Sequence, residues 1–267
     1  QRNIPQTLNF CNDIKSYADK DALFINYSNP MAMNTWAAIS EAKVNTVGLC
    51  HGVQGGAKLI SKVLGSDNDE DLEYMCSGIN HMTWYIDLKY KGKQVSKEEL
   101  IEAFAKHPEI ASQEKVRIDI LKRFGLFSTE SNGHLSEYVP WYRKRVNEIP
   151  QWIDSSNWIH GETGGYLRVT SEKRNWFEED FSKFLSESGI DLKNYKRSTE
   201  HGSYIIEAIE TNRPYRGHFN TVNNGTISNL PDDCIIESTG TVGSNGISMI
   251  KGIELPIACD LSMQDIN

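Results

Sequence analysis

Three short apolar segments in the first third of the chain end in side chains that could do chemistry. Each segment is rich in β-forming residues and is followed by a polar pair, in chain order Asn26 and Asn29, Cys50 and His51, and Asn80 and His81. Because ligands gather at the carboxyl ends of strands in an open α/β sheet, three strands that end in this way could point at one site. Cysteine and histidine are also ligands that a borderline-soft transition metal prefers. We therefore interpret the three pairs as parts of one candidate site.

Each of these residues also has a structural interpretation. Free cysteine is among the most buried residue types, so Cys50 could simply belong to a strand in the core. The asparagines could bind sugar hydroxyls, or they could cap the helices that follow them. The residue types and their spacing leave both interpretations open.

A second candidate patch lies in STESNGHLSEYVPWY, residues 128–142. His134 and Tyr138 are four positions apart, which places them on one helical face, although His134 could instead cap that helix. Glu200 and His201 open a later predicted helix, where a solvated histidine is the simpler interpretation. The sequence contains no GxSxG, HExxH, P-loop or paired CxxC motif, and no carboxylate pair of the ordinary glycosidase type stands out.

Composition limits the class of protein. A net charge of −8 over 267 residues argues against a nucleic-acid or anionic-membrane partner, since either would call for a basic face. No stretch approaches the about 20 consecutive apolar residues of a membrane span. Five cysteines without regular spacing do not suggest a disulfide framework, so we expect a cytoplasmic protein.

The predicted helices and strands alternate at first and then change pattern. The first part reads as helix 6–17, strand 22–27, a helix from Pro30 to 42, strand 45–49 and a helix to 64. This rhythm is typical of a parallel sheet. Paired strands follow over 75–79 and 83–90, then helices near 97–106, 113–124, 137–148, 171–188 and 198–211, and finally short β segments. An α/β part therefore leads into an α+β part, with the boundary near residue 50.

Five blocks of the sequence are distinctive when taken together. They are NYSNPMAMNTW, VGLCHGVQGG, CSGINHMTWYIDL, HLSEYVPW and NGTISNLPDDCIIE, and they extend over nearly the whole chain. In this order they resemble family 4 of the glycoside hydrolases, above all its α-galactosidase branch. The resemblance implies an α/β fold in which 1–50 form the C-terminal portion of a Rossmann NAD-binding domain. It implies that 51–267 form a catalytic α+β domain of the lactate/malate dehydrogenase type.

The sequence departs from the family in two respects. Family members usually open with a strand and a glycine-rich dinucleotide loop, so the N-terminal dinucleotide-binding half is expected to be missing and the C-terminal end to be shortened. Gly52 stands where the α-galactosidase branch is expected to carry serine.

The resemblance implies an unusual glycosidase chemistry, in which NAD⁺ and a divalent metal, usually Mn²⁺, are needed without net redox. The family oxidises the sugar at C3, which acidifies the proton at C2, while the metal acts as a Lewis acid. A base removes that proton, the glycosidic oxygen leaves, water adds and the hydride returns. The substrates would be α-galactosides such as melibiose.

Matched block by block, Cys50 and His81 correspond to the metal ligands. Asn29 matches a substrate-binding asparagine, and Asn80, beside the metal histidine, is likewise assigned to the substrate. Asn26 is assigned to the cofactor.

The acid and the base come from the remaining candidates. His51 occupies the position of an acid that assists the leaving group. The C2 base is His134 or Tyr138: alignment favours His134, whereas Tyr138 preserves the residue type found elsewhere in the family.

Several alternatives stay open at this stage. The same family includes α-glucosidases and α-galacturonidases, the same fold supports NAD-dependent oxidoreductases, and the chain could be a catalytically incompetent fragment. Because the family forms dimers and tetramers, a homo-oligomer is expected.

Overall fold

The computed structural model describes residues 2–67, 70–139, 141–157, 161–162, 164–172, 176–186 and 196–264. Its strands are β1 (Phe24–Asn26), β2 (Thr46–Gly48), β3 (Leu72–Ile79), β4 (Met82–Tyr90), β5 (Lys93–Gln94), β6 (Phe127–Ser128), β7 (Tyr215–Val222), β8 (Ile235–Gly243) and β9 (Gly246–Met249). Its helices are α1 (Asn3–Tyr17), α2 (Met31–Ser40), α3 (Gly52–Val63), α4 (Lys97–Ala105), α5 (Pro108–Gln113), α6 (Lys115–Phe124), α7 (Asn132–Tyr138), α8 (Ile149–Trp152), α9 (Gly165–Glu172), α10 (Trp176–Ser186), α11 (His201–Thr211) and α12 (Ile257–Gln264).

The described strands form one sheet of mixed direction. Its order is β1-β2-β7-β8-β3-β4-β5, with β6 on β4 and β9 on β8. β1 and β2 pair in parallel across α2, which confirms the predicted strand–helix–strand start. β2 then meets β7 in antiparallel pairing at Gly48 and Asn220, and the rest of the sheet is antiparallel. The predicted change from α/β to α+β is confirmed. The division at residue 50 stays a prediction.

Two apolar clusters hold the β3–β4 hairpin in place. One packs Trp84 of β4 against α6 and α7 through Ile120 and Leu135. The other packs Tyr85 against α3 and α4 through Val53 and Phe104. Because Trp84 and Tyr85 point to opposite faces of one strand, the hairpin is clamped from both sides.

Helix prediction succeeded where capping signals were local. The helices expected near 97–106 and 113–124 are α4 and α6. α4 begins with a capping box between Ser96 and Glu99, and α6 ends at Gly125, whose φ is +86°. The capping box starts α4 through local hydrogen bonds, and Gly125 ends α6 because glycine adopts the left-handed conformation without strain. The sequence alone could therefore place both boundaries.

The helix predicted over 137–148 is wrong. α7 ends at Tyr138, and the next helix, α8, begins at Ile149. Val139 has extended backbone angles (φ −108°, ψ 124°) because it precedes Pro140, whose ring excludes the helical conformation at the residue before it. Part of the helix predicted over 171–188 lies outside the described residues. Among the residues that the structure describes, no helix is both long and apolar enough to cross a membrane.

A pair of adjacent glycines in α3 predicts opposite effects of one substitution. A Cβ on Gly56 would lie 2.4 Å from the hydroxyl oxygen of Tyr85, which is 2% exposed and cannot move aside, whereas nothing lies within 4 Å of a Cβ on Gly55. We expect Gly56→Ala to lower the free energy of unfolding by about 1–3 kcal/mol through overpacking. Gly55→Ala should raise it by about 0.5–1 kcal/mol, because alanine favours the helix. Urea unfolding of both variants measures this, and equal effects would contradict the packing of α3 on β4.

Candidate active site

Cys50 lies in the short turn between the end of β2 and the start of α3. Gly52 and Asn80 are polar neighbours of its sulfur. Burial, and then the charges of Glu237 and Glu130, raise the pKa of the Cys50 thiol to about 12. A cation bound at the sulfur would oppose these effects, because metal coordination deprotonates a thiol outright.

His81 lies in the two-residue turn of the β3–β4 hairpin and has a φ of +67°, an uncommon conformation for a residue other than glycine. Its Nδ1 is 2.8 Å from the hydroxyl of Tyr138, and its Nε2 is 3.7 Å from Oε2 of Glu130. Burial lowers the pKa of His81, so the imidazole is held neutral, as a metal ligand requires. The contact with Tyr138 fixes the orientation of the ring.

Glu130 links two histidines of the cluster. Its Oε1 is 3.3 Å from Nδ1 of His134, and its side chain is only 12% exposed. Burial works against ionisation of Glu130, but hydrogen bonding to His134 and the neighbouring His81 lower its pKa to about 2. The same hydrogen bond raises the pKa of His134. Glu130 is therefore a buried carboxylate that orients both rings.

Tyr138 sits four residues after His134 on α7, as the sequence predicted. Burial, and then the charges of Glu130 and Glu137, raise the pKa of its phenol to about 12. The hydroxyl of Tyr138 is 2.8 Å from Nδ1 of His81. Nδ1 of His134 is instead 3.3 Å from Oε1 of Glu130. The two base candidates thus have different partners.

His51 is exposed at the turn and contacts a carboxylate from a later part of the chain. Its Nδ1 is 3.6 Å from Oε1 of Glu200, and the two side chains are 76% and 45% exposed. His51 still contributes to the electrostatic field at His81. It occupies the solvent-facing edge of the cluster.

Asn26 and Asn29 serve the segment that leads into α2. The Asn26 amide is 4% exposed and donates to the carbonyl of Met31 and the hydroxyl of Thr35. Asn29 precedes a cis peptide bond to Pro30 and accepts from the N–H of Met31. These bonds stay within the turn and the start of α2 and hold the local backbone, but neither asparagine is the N-cap of the helix, which is Pro30 without a side-chain cap. Binding by either residue stays a prediction.

The structure therefore brings five of the candidates into one cluster: Cys50, Asn80, His81, His134 and Tyr138. Sequence reasoning missed the carboxylates that connect them, Glu130 and Glu237, and it named Glu200 without predicting its contact with His51. Glu237 is 2% exposed and accepts a hydrogen bond from Asn80. A signal was present, because a charge inside the apolar run CIIES is unusual for a buried strand.

The donor set fits a metal that takes only two ligands from this chain. Cys50 and His81 offer a sulfur and a neutral nitrogen, the combination that suits a divalent transition metal. Within the described ranges, no group of three or more His, Cys, Asp or Glu side chains could hold a metal ion by itself. Further ligands would have to come from a bound substrate or from water.

Comparison with protein families gives two matches that together span most of the chain. The description "Family 4 glycosyl hydrolase" matches residues 1–66, and "Family 4 glycosyl hydrolase C-terminal domain" matches residues 76–266.

Two curated relatives are similar over nearly all of the chain. An α-galactosidase of Rhizobium meliloti (strain 1021) is 61% identical over 259 residues, covering 97% of this chain and 53% of the relative. An α-galactosidase of Bacillus subtilis (strain 168) is 34% identical over 258 residues, covering 96% of this chain and 56% of the relative. The chain thus spans about half the length of the curated relatives it matches.

Solved structures show the same fold at low sequence identity. A putative glucosidase, lplD, from Bacillus subtilis superposes with a TM-score of 0.78 at 21% identity, over 98% of this chain and 62% of the other. A 6-phospho-α-glucosidase from gut microorganisms, in complex with NAD and Mn²⁺, superposes with a TM-score of 0.72 at 18% identity, over 98% of this chain and 60% of the other. A malate dehydrogenase from Aeropyrum pernix superposes with a TM-score of 0.52 at 16% identity, over 99% of this chain and 66% of the other. The expected dehydrogenase-type α/β fold is confirmed.

Proposed function

Because the chain belongs to family 4 of the glycosyl hydrolases, we propose that it carries the catalytic centre of an α-galactosidase that depends on NAD⁺ and Mn²⁺. One structural observation carries the proposal: Cys50 and His81, far apart in sequence, lie in one cluster around Glu130 and Tyr138. The 61% identity to an α-galactosidase supports the galactoside as substrate. A related fold in complex with NAD and Mn²⁺ supports the two cofactors.

Each residue of the cluster has a distinct role in the proposed reaction. Cys50 and His81 hold the metal, and Tyr138 keeps the His81 ring in place through its Nδ1. When bound, NAD⁺ supplies a hydride acceptor and Mn²⁺ supplies a Lewis acid. Asn29 and Asn80 contact the sugar, and Asn26 contacts the cofactor.

Proton transfers fall to two histidines. His134 removes the proton at C2 of the sugar, because Glu130 orients its ring and stabilises the imidazolium that forms. His51 delivers a proton to the departing glycosidic oxygen from the exposed side of the turn, with Glu200 as its carboxylate partner. Tyr138 is the less favoured base because its hydroxyl already contacts His81.

The test is hydrolysis of 4-nitrophenyl α-galactoside by the protein under reducing conditions, with the complete mixture, without NAD⁺ and without Mn²⁺. We expect activity that needs both additions and leaves no net NADH. Activity that is indifferent to NAD⁺ would overturn the mechanism, and net NADH would indicate an oxidoreductase. Turnover of the glucoside or galacturonide alone would keep the chemistry and change the substrate.

The domain assignment, compartment and assembly belong to the same proposal. We assign 1–50 to a dinucleotide-binding domain and 51–267 to the catalytic domain, in a cytoplasmic homo-oligomer. Cys11, Cys50, Cys76 and Cys234 are free thiols, which suits a reducing compartment. Sedimentation equilibrium gives the oligomeric state directly.

A further inference from the structure

A cleft of about 690 Å³ lies between α2 and the loop that joins β7 to β8. Its volume is within the range of about 300–1,000 Å³ that small-molecule sites occupy. One wall is the side chain of Trp36 on α2, and the other is formed by 228–231, Asp233 and Cys234. The roles proposed above use none of these residues, so the cleft has no assigned ligand.

Two asparagine side chains hold the loop wall of the cleft in one conformation. The amide of Asn223 is fully buried and donates hydrogen bonds of 3.0 Å to the carbonyls of Leu230 and Pro231. The side chain of Asn229 donates to the carbonyl of Leu255 at 2.9 Å and accepts from its N–H at 3.1 Å. Because these bonds fix the loop before a ligand arrives, little conformational entropy is lost on binding.

Two side chains of the cleft are available to a ligand. Trp36 is 37% exposed, and Asp233 is exposed beside the buried Cys234. Within the described part of the chain, neither the indole N–H of Trp36 nor the carboxylate of Asp233 has a hydrogen-bond or ion-pair partner. The face of an indole can bind the apolar C–H face of a sugar ring, and a carboxylate accepts hydrogen bonds from neighbouring hydroxyls. The two groups together fit a pyranose ring.

The charge of the cleft selects among sugars. Among the described residues that line it, Asp233 is the charged one, and Asp232 precedes it on the same loop. A sugar phosphate or a uronate would bring a second negative charge close to these carboxylates and would be repelled. The cleft therefore favours a neutral sugar over an anionic one.

Both walls of the cleft lead toward the candidate active site. Trp36 is seven residues after Asn29, and Asp233 is four residues before Glu237, which accepts a hydrogen bond from Asn80. The rise of a helix and the reach of an extended chain place both walls within about 15 Å of these residues. A glycoside of several sugar units spans such a distance.

We propose that the cleft is a subsite for the leaving-group part of the substrate, in which Trp36 stacks on a neutral pyranose ring and Asp233 accepts hydrogen bonds from its hydroxyls. The inference rests on the proposed function, because it places the galactosyl unit at Asn29 and Asn80. The cleft thus makes the protein selective for neutral oligosaccharides over simple galactosides.

A first experiment compares a long substrate with a short one in the complete reaction mixture. Trp36→Ala and Asp233→Asn should each raise KM for raffinose, a neutral trisaccharide, by about 3- to 10-fold, the effect of losing one aromatic or hydrogen-bonding contact. The kcat for raffinose should stay within about twofold of wild type. KM for 4-nitrophenyl α-galactoside, which is too short to reach the cleft, should not change. Equal changes for both substrates, or no change for raffinose, would overturn the proposal.

A second experiment measures raffinose binding without NAD⁺, Mn²⁺ or turnover. Saturation-transfer nuclear magnetic resonance should detect contact between the protein and the glucosyl protons of raffinose, and Trp36→Ala should abolish this contact. Met33→Ala is the matched control, because Met33 lies three residues earlier on α2 and is 51% exposed but does not line the cleft. Contact through the galactosyl protons alone would overturn the proposal.

The two experiments separate failure of the cleft from failure of the proposed function. If the wild-type protein turns over neither galactoside but keeps the Trp36-dependent contact with raffinose, the proposed reaction fails while sugar binding by the cleft stands. Turnover of raffinose that Trp36→Ala and Met33→Ala leave equally unchanged refutes only the cleft.

Two other occupants of the cleft would each overturn the proposal. Binding of tetramethylammonium in place of raffinose would indicate a site for an organic cation over the indole of Trp36. A lower mass of Trp36→Ala than of the wild-type protein in sedimentation equilibrium would indicate that a second copy of the chain covers the cleft.

Discussion

Replacing Cys50 by serine will abolish Mn²⁺ binding and reduce α-galactoside turnover by more than about 100-fold. The effect should exceed that of removing a residue that only orients a metal ligand, which is typically about 10- to 100-fold. Serine keeps the size of the side chain but replaces a soft thiolate with a hydroxyl that stays protonated. His81→Ala should have the same effect, because only these two side chains of the described cluster are assigned to the metal. Isothermal titration with Mn²⁺ and steady-state kinetics measure both consequences.

The matched control for His81→Ala is His107→Ala. His107 precedes α5, makes no side-chain capping bond there and has no role in the proposed site, so binding and turnover should be unaffected. The far-ultraviolet circular dichroism of all three variants should match that of the wild-type protein. If the turnover of Cys50→Ser is within tenfold of the wild-type value, Cys50 is a structural residue and not a metal ligand.

The second large effect concerns the base. His134→Asn should lower turnover by about 10²–10⁴-fold, the usual range for removal of a general base, and should stop exchange of the C2 proton of the sugar with solvent. The reason is geometric: Glu130 holds the His134 ring at 3.3 Å. Proton exchange is followed by nuclear magnetic resonance of the sugar in deuterated water, in the presence of NAD⁺ and Mn²⁺.

Tyr138→Phe is the paired variant for the same measurement. It removes the hydroxyl that lies 2.8 Å from Nδ1 of His81, so we expect weaker Mn²⁺ binding but continued C2 exchange when the metal is saturating. The opposite pattern, with exchange lost in Tyr138→Phe and kept in His134→Asn, would assign the base to Tyr138.

Local signals in the sequence predicted much of the fold. The periodicity of apolar residues, the capping box at Ser96 and the glycine at Gly125 located helices to within a few residues. Pro140 carried an equally local signal, and the incorrect helix over 137–148 came from giving more weight to apolar spacing than to the restriction on the residue before proline.

The sequence by itself determined the chemistry that is available: a cysteine, histidines and asparagines at strand ends, in blocks that identify a family. Only the tertiary structure decided which groups meet. Glu237 reaches Asn80 because β8 lies between β7 and β3, a pairing that joins positions more than 150 residues apart. Glu130 acts on both His81 and His134 because α7 packs beside the β3–β4 turn. Such contacts depend on long-range pairing and burial, which set distances and pKa values and leave no periodic trace in the sequence.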